Sequence, residues 1–203
     1  MGLRERKKEQ TKRAIEDAAF RLFEERGFQA TTVADIADAA DVAPRTFFAY
    51  FPSKEDVLFA DFDATFDDLA SRLRGRPEGE STFEALRAWI SDLLPELEKD
   101  EEREAVRYRL CVEHSSIAAH QRHLMGRFEG LIAEAVAVDL GDAPSDVRPR
   151  MIAAAAIAAL LALRPDDSHD HETTPEKLQR LDEALEFLRA GVASLQRAGT
   201  PQG

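Results

Sequence analysis

Apolar residues recur at intervals of three and four along most of this chain, the spacing that puts them on one face of an α-helix. From Glu9 to Arg26 the stripe is Ile15, Ala18, Ala19, Leu22 and Phe23, and Gly27 supplies its C-cap. Val33, Ile36, Ala40, Val42, Phe47 and Tyr50 follow, with the small Ala37 where two short helices would touch. This is the burial pattern of a helix-turn-helix, which holds a second helix against DNA. A longer fourth helix carries Val57, Leu58, Phe62, Phe66, Leu69 and Leu73 towards Gly75. A connector rich in Gly and Pro then leads to a fifth helix lined by Phe83, Leu86, Ile90, Leu93 and Leu97, which Pro95 kinks or ends. A sixth, from Arg103 to about Ser115, buries Val106, Leu110 and Cys111, and a seventh carries Leu124, Phe128, Leu131, Ile132 and Ala135. An alanine-rich helix over Val147 to Leu163 and a last one opened by Thr174-Pro175 complete the set. The expectation is an all-α protein of about nine helices. A helix-turn-helix domain with a basic arm is expected over residues 1–54, and a larger helical domain over residues 55–203.

Helix ends are written locally. Thr32 can cap the second helix while Asp35 reaches back to the Thr32 amide, and Ser53 with Asp56 and Ser81 with Glu84 repeat the pattern. Pro44 suits the first position of the third helix, where no amide hydrogen is needed. Pro52 keeps that helix from running on, and Phe47 and Phe51 belong to the core. Along the last helix Leu178, Leu181, Leu185, Leu188, Val192 and Leu195 fall at a/d spacing, a seam that faces either its own domain or a partner helix.

Side chains on the solvent face at the start of the third helix, Ala43, Pro44, Arg45 and Thr46, reach base edges if that helix enters a major groove. Arg45 can bond guanine O6 and N7 together, and Thr46 offers a methyl to thymine. The plainer role for Arg45 is a phosphate clamp.

The net charge of −12 over 203 residues argues against DNA until its distribution is considered. Residues 1–54 hold ten Lys and Arg against nine Asp and Glu, so the excess acid lies beyond them. Arg4, Arg6, Lys7, Lys8, Lys12 and Arg13 outnumber Glu5 and Glu9 at the amino terminus. Beside a helix-turn-helix such an arm, with Arg4, Lys7 and Lys8 foremost, adds salt-sensitive affinity with little sequence preference; elsewhere it reads as a solvated tail. The single Cys111 rules out an internal disulfide and a zinc ribbon, and no secretory core or bilayer-length apolar run is present. A cytoplasmic protein with no membrane partner fits. The acidic loop RPDDSHDHETT, residues 164–174, is too polar to pack and is expected to move.

The segment ending Tyr50-Phe51-Pro52-Ser53-Lys54 resembles the DNA-binding domain of TetR-family transcriptional regulators, and the likeness runs from about Thr11 to Val57. It departs from the family at Asp41, where glycine in positive φ is usual, a conformation Asp tolerates better than most. It departs again at Phe48 and Ala49, where a phosphate-binding tyrosine and a histidine are common. The resemblance implies that Thr32, Tyr50 and Lys54 grip phosphates. It also implies a homodimer built from the last two helices, through Ala155, Ala159 and the seam Leu178, Leu181, Leu185, Leu188, Val192 and Leu195. Such a dimer would set two recognition helices about 34 Å apart. A small-molecule effector among the central helices would release the palindromic operator, with helix four transmitting the movement. Repression is the family default. Candidate pocket residues are Phe66, Trp89, Leu93, Tyr108, Cys111, Leu124 and Phe128, all equally at home in an ordinary core.

Rival functions find less support. An all-helical enzyme or ligand carrier would need a nucleophile–base pair, a phosphate-cradling glycine loop or paired carboxylates, and no such motif stands out. A helical adaptor leaves Arg45 and the basic arm unexplained. His120 and His123, three apart near Glu113 and His114, are too few for a metal site, as are His169 and His171, and no cofactor is implied. Cys111, among apolar helical neighbours, is expected to be inert.

Overall fold

A computed structural model describes residues 2–162 and 173–198, apart from the side chains of residues 98 and 192–198. Ten helices follow one another among them: α1 (Leu3–Arg26), α2 (Val33–Ala39), α3 (Pro44–Phe48), α4 (Lys54–Val57), α5 (Phe62–Arg74), α6 (Thr82–Glu98), α7 (Glu101–Glu113), α8 (Ser115–Leu140), α9 (Val147–Ala162) and α10 (Thr174–Ala198). No strand occurs among the described residues. The expected all-α class is what the chain adopts.

The chain divides into two compact units, each made of segments that are not contiguous in sequence. Residues 1–63 form the first unit together with residues 101–122; residues 64–100 and 123–203 form the second. The division expected at residue 54 falls inside the first unit, and residues 101–122, expected with the second domain, pack with residues 1–63. The reason is packing. Val106, Leu110 and Ile117 are buried in the same core as Ile15, Phe23, Phe28 and Phe47, with Cys111 partly buried against it. Arg103 of α7 lies over the Phe20 ring at 5.1 Å and pairs with Glu16 and Asp17 of α1.

Three helix expectations are corrected. The single long fourth helix is broken after Val57, and α5 starts only at Phe62. Leu58, Phe59 and Phe62 bond to carbonyls three residues back, which tightens the turn and lets both Val57 and Leu58 bury completely. The basic arm is part of α1, which begins at Leu3 rather than Glu9. Pro95 does not end α6, which runs to Glu98.

In the second unit α10 packs on α9 and α6, and Arg87 grips Asp182 with two bonds of 2.5 and 2.9 Å to tie α6 to α10. Arg76 donates to Thr82 Oγ1 at 2.8 Å and to the Ala135 carbonyl at 3.2 Å, and pairs with Asp139. The other oxygen of Asp139 accepts the Thr82 amide at 2.7 Å. Ser81 and Glu84 form the expected capping box. The acidic loop with His169 and His171 lies outside the described residues, apart from Thr173 and Thr174 at its end. No helix among the described residues is long and apolar enough to cross a membrane.

Candidate nucleic-acid interface

The head presents α3 through a chain of local constraints. Thr32 accepts the Asp35 amide at 3.2 Å, while the Asp35 carboxylate accepts the Thr32 amide at 2.9 Å and its hydroxyl at 2.5 Å. These bonds, the hydroxyl's foremost, hold the Asp35 carboxyl below its ordinary range. α2 then ends in a turn in which the Val42 amide donates to the Ala37 carbonyl at 2.9 Å. Asp41 takes φ 53°, the one positive φ outside glycine among the described residues. Its short polar side chain is among the few that accept this conformation, as the sequence anticipated. Pro44 opens α3 with Ala43 as N-cap. Phe47 anchors the helix by burying completely, and Phe51 does so almost as fully.

What α3 turns outward follows from that anchor. Ala43, Pro44 and Arg45 are exposed and Thr46 is half-buried. Arg45 has no hydrogen-bond or ion-pair partner among the described residues, so its guanidinium is free to bind. Tyr50 is half-buried with its ring against the head's core. At the amino terminus Arg4, Lys7 and Lys8 are exposed on a helix whose buried residues begin only at Ile15. Lys12 and Arg13 are otherwise engaged: Lys12 donates to the Ala60 carbonyl at 2.9 Å, and Arg13 pairs with Glu9 at 3.2 Å.

Two proposed phosphate grips look different here. Lys54 donates to the carbonyls of Phe28 and Thr31 at 2.7 and 2.9 Å and sits 4.2 Å from the Phe28 ring centre, so two of its three N–H groups staple α4 to the α1–α2 loop. The Thr32 side chain is exposed, but its one hydroxyl proton goes to Asp35. Both residues shape the head before they touch anything else.

The dimer residues also sort differently. Leu181 and Leu185 are 0% and 5% exposed in the single chain, so they form the core of their own unit and have no surface to offer a partner. Leu178, Leu188, Ala155 and Ala159 are half-buried, and the side chains of Val192 and Leu195 lie outside the described residues. Exposed apolar residues at a/d spacing remain on α9, namely Val147 (67% exposed), Met151 (60%), Ala154, Ala158 and Leu161, and on α10 Phe187 is 79% exposed. The same heptad spacing that marks α10 also runs along α9.

The pocket candidates are divided between the units. Tyr108 and Cys111 belong to the first; Phe66, Trp89, Leu93, Leu124 and Phe128 belong to the second. There Phe128 meets Phe66 edge-on at 5.4 Å and lies 6.5 Å from Trp89, whose indole N–H donates to Asp68 at 2.8 Å. None of the seven lines either of the two described clefts. One, of about 700 Å³, lies in the second unit between the α5–α6 connector and α8; the other, of about 560 Å³, lies in the first beside Phe28 and His114. No three ligating side chains converge on a metal-sized site among the described residues. His120 stands 3.4 Å from Asp56 and 5.4 Å from the Phe59 ring, and His114 lies 5.4 Å from that of Phe28.

Comparison with known proteins agrees with this geometry. Residues 15–60 match the family model described as bacterial regulatory proteins, tetR family, and residues 80–193 match that of the MftR C-terminal domain. The chain is 34% identical over 161 residues to the HTH-type transcriptional regulator TcmR of Streptomyces glaucescens, covering 75% of this chain and 71% of that one. It is 26% identical over 195 residues to MftR of Mycobacterium tuberculosis, named as a mycofactocin biosynthesis regulator, across 95% and 96% of the two chains. Among solved structures it resembles FadR of Thermus thermophilus, a TetR-family repressor in complex with lauroyl-CoA, with TM-score 0.58 and 25% identity over 87% of this chain and 92% of that one. The capped helix-turn-helix, its outward Arg45 and these matches together make the chain a member of the TetR family of DNA-binding transcriptional regulators.

Proposed function

We propose that the protein is a repressor, not an enzyme, which binds a palindromic operator as a homodimer and lets go when a small-molecule effector binds. The observation that carries this reading is the outer face of α3, where an unpaired Arg45 stands on a helix fixed from beneath by Phe47. Arg45 reads guanine, Thr46 and Tyr50 border it, and Arg4, Lys7 and Lys8 supply attraction to the backbone. One such head reads few base pairs, so two are needed, about one helical turn apart. The open seam of α9 with Phe187 of α10 supports a second copy as the partner, because an apolar a/d stripe on a helix finds its complement in the same stripe related by a two-fold axis. The effector must favour a conformer with the wrong head spacing, since equal affinity for both conformers shifts nothing. The FadR relative binds an acyl-CoA, and the cleft of about 700 Å³ is a volume in which a small molecule fits.

The test is a mobility shift on the DNA upstream of the protein's own gene, repeated across a salt series. Retention should be specific and fall steeply with salt. Arg45→Ala should lose about 1–3 kcal/mol per half-site, roughly tenfold or more. Unchanged binding by that variant removes Arg45 from base reading.

A further inference from the structure

Phe48 is 57% exposed, and neither the fold nor the function above accounts for it. A single exposed aromatic is ordinary on a protein surface. Its position is what matters. Phe48 lies three residues after Arg45 and four after Pro44, so it shares their face of α3, with the exposed Ala49 beside it. Its ring stands edge-on to the buried Phe47, 5.5 Å between centres at 85°, so a fully packed neighbour aims it outward. Beyond Arg45 this face carries no charge, and Ala43, Pro44 and Ala49 keep the backbone close to whatever it meets.

Major-groove edges offer side chains donors, acceptors and one apolar group, the 5-methyl of thymine. A face made of one guanidinium flanked by apolar side chains is complementary to guanine through the Arg and to methyl groups through the remainder. We propose that Phe48 is a specificity-determining residue that packs its ring on the 5-methyl of a thymine in each half-site. The inference rests on the reading that α3 enters a major groove, and it adds a base identity to it. Phe48 has no hydroxyl to give a phosphate, so its contribution is selective for sequence rather than for backbone.

The experiment selects duplexes from a randomised pool with the wild-type protein and, separately, with Phe48→Ala. The wild type should enrich one thymine column per half-site near the guanine read by Arg45. Phe48→Ala should flatten that column alone and, being a surface change, leave the thermal melt unaltered. In the wild-type site, exchanging that thymine for deoxyuridine deletes only the methyl. It should weaken wild-type binding about fourfold per half-site, the factor for burying one methyl-sized group, and leave Phe48→Ala indifferent. A thymine column that survives in Phe48→Ala, or an equal loss on uridine exchange in both proteins, overturns the proposal while leaving DNA binding intact. Absence of any enrichment by the wild type overturns the DNA-binding reading itself, and the two failures are told apart by the guanine column.

Discussion

Glu16 should make the head's stability depend on pH in the opposite sense to most surface carboxylates. It is buried on α1, with Lys12 Nζ and Arg103 Nη1 each 3.7 Å from its oxygens. Burial pushes its carboxyl up from 4.5 to about 6 against the pull of Lys12 and Arg103, and Asp61 and Glu9 add to the rise. An acid whose pKa rises on folding favours the folded state while protonated, and that advantage is lost as pH climbs from 4.5 through about 6. At 1.36 kcal/mol per pH unit, the ionised form costs the fold about 2 kcal/mol at neutral pH. Glu16→Gln keeps the shape and removes the charge. In urea unfolding followed by circular dichroism, the variant should therefore gain about 2 kcal/mol relative to wild type between about pH 4 and about pH 7.5, with the change confined to that window. A difference between the two proteins that stays flat across it, or that shrinks as pH rises, would refute the reasoning. It would mean that the ion pairs to Lys12 and Arg103 balance the loss of water or, in the second case, outweigh it.

Other outcomes are equally definite. Asp41→Val places a β-branched residue at φ 53° and should cost about 1–2 kcal/mol, whereas Asp41→Gly should not destabilise; thermal melts decide. Lys54→Met should lose about 1.5–3 kcal/mol of head stability, because two carbonyls give up a charged donor. It should leave the salt slope of DNA binding alone, while Lys7→Ala and Lys8→Ala each reduce that slope by about 1. Met151→Glu with Phe187→Glu should yield a soluble monomer by sedimentation, whereas Leu185→Glu should lower the melting temperature first, since Leu185 is core. A dimer that persists in the double variant places the interface off α9 and α10.

The features legible in the sequence are those decided within a few residues. The caps at Thr32, Ser53 and Ser81 depend on partners three positions away, and the turn at Asp41 on one side chain's tolerance of positive φ. The features missed were decided at a distance. An apolar pattern running through Val57, Leu58 and Phe62 looks like one helix, because both a helix and a tight turn bury it. The charge of Lys54 marks a cation but not the two carbonyls 26 and 23 residues back that hold it. Heptad spacing on α10 reports a stripe to be covered, and only packing shows that its own unit covers Leu181 and Leu185 while Met151 and Phe187 stay bare. The pocket candidates fared similarly, since an aromatic at helical spacing carries no sign of which unit it will join.

The head's discontinuous core imposes an order on synthesis. Phe23, Phe28 and Phe47 are made early, yet Val106, Leu110 and Ile117, which close the same core, leave the ribosome only later. At about 5–20 residues per second the interval between Phe51 and Ile117 is roughly 3 to 13 s. Throughout it the aromatic cluster lacks the residues of α7 and α8 that later cover it. For the same reason, a gene fragment stopped after the recognition segment encodes a peptide that lacks part of the cover for its own apolar interior.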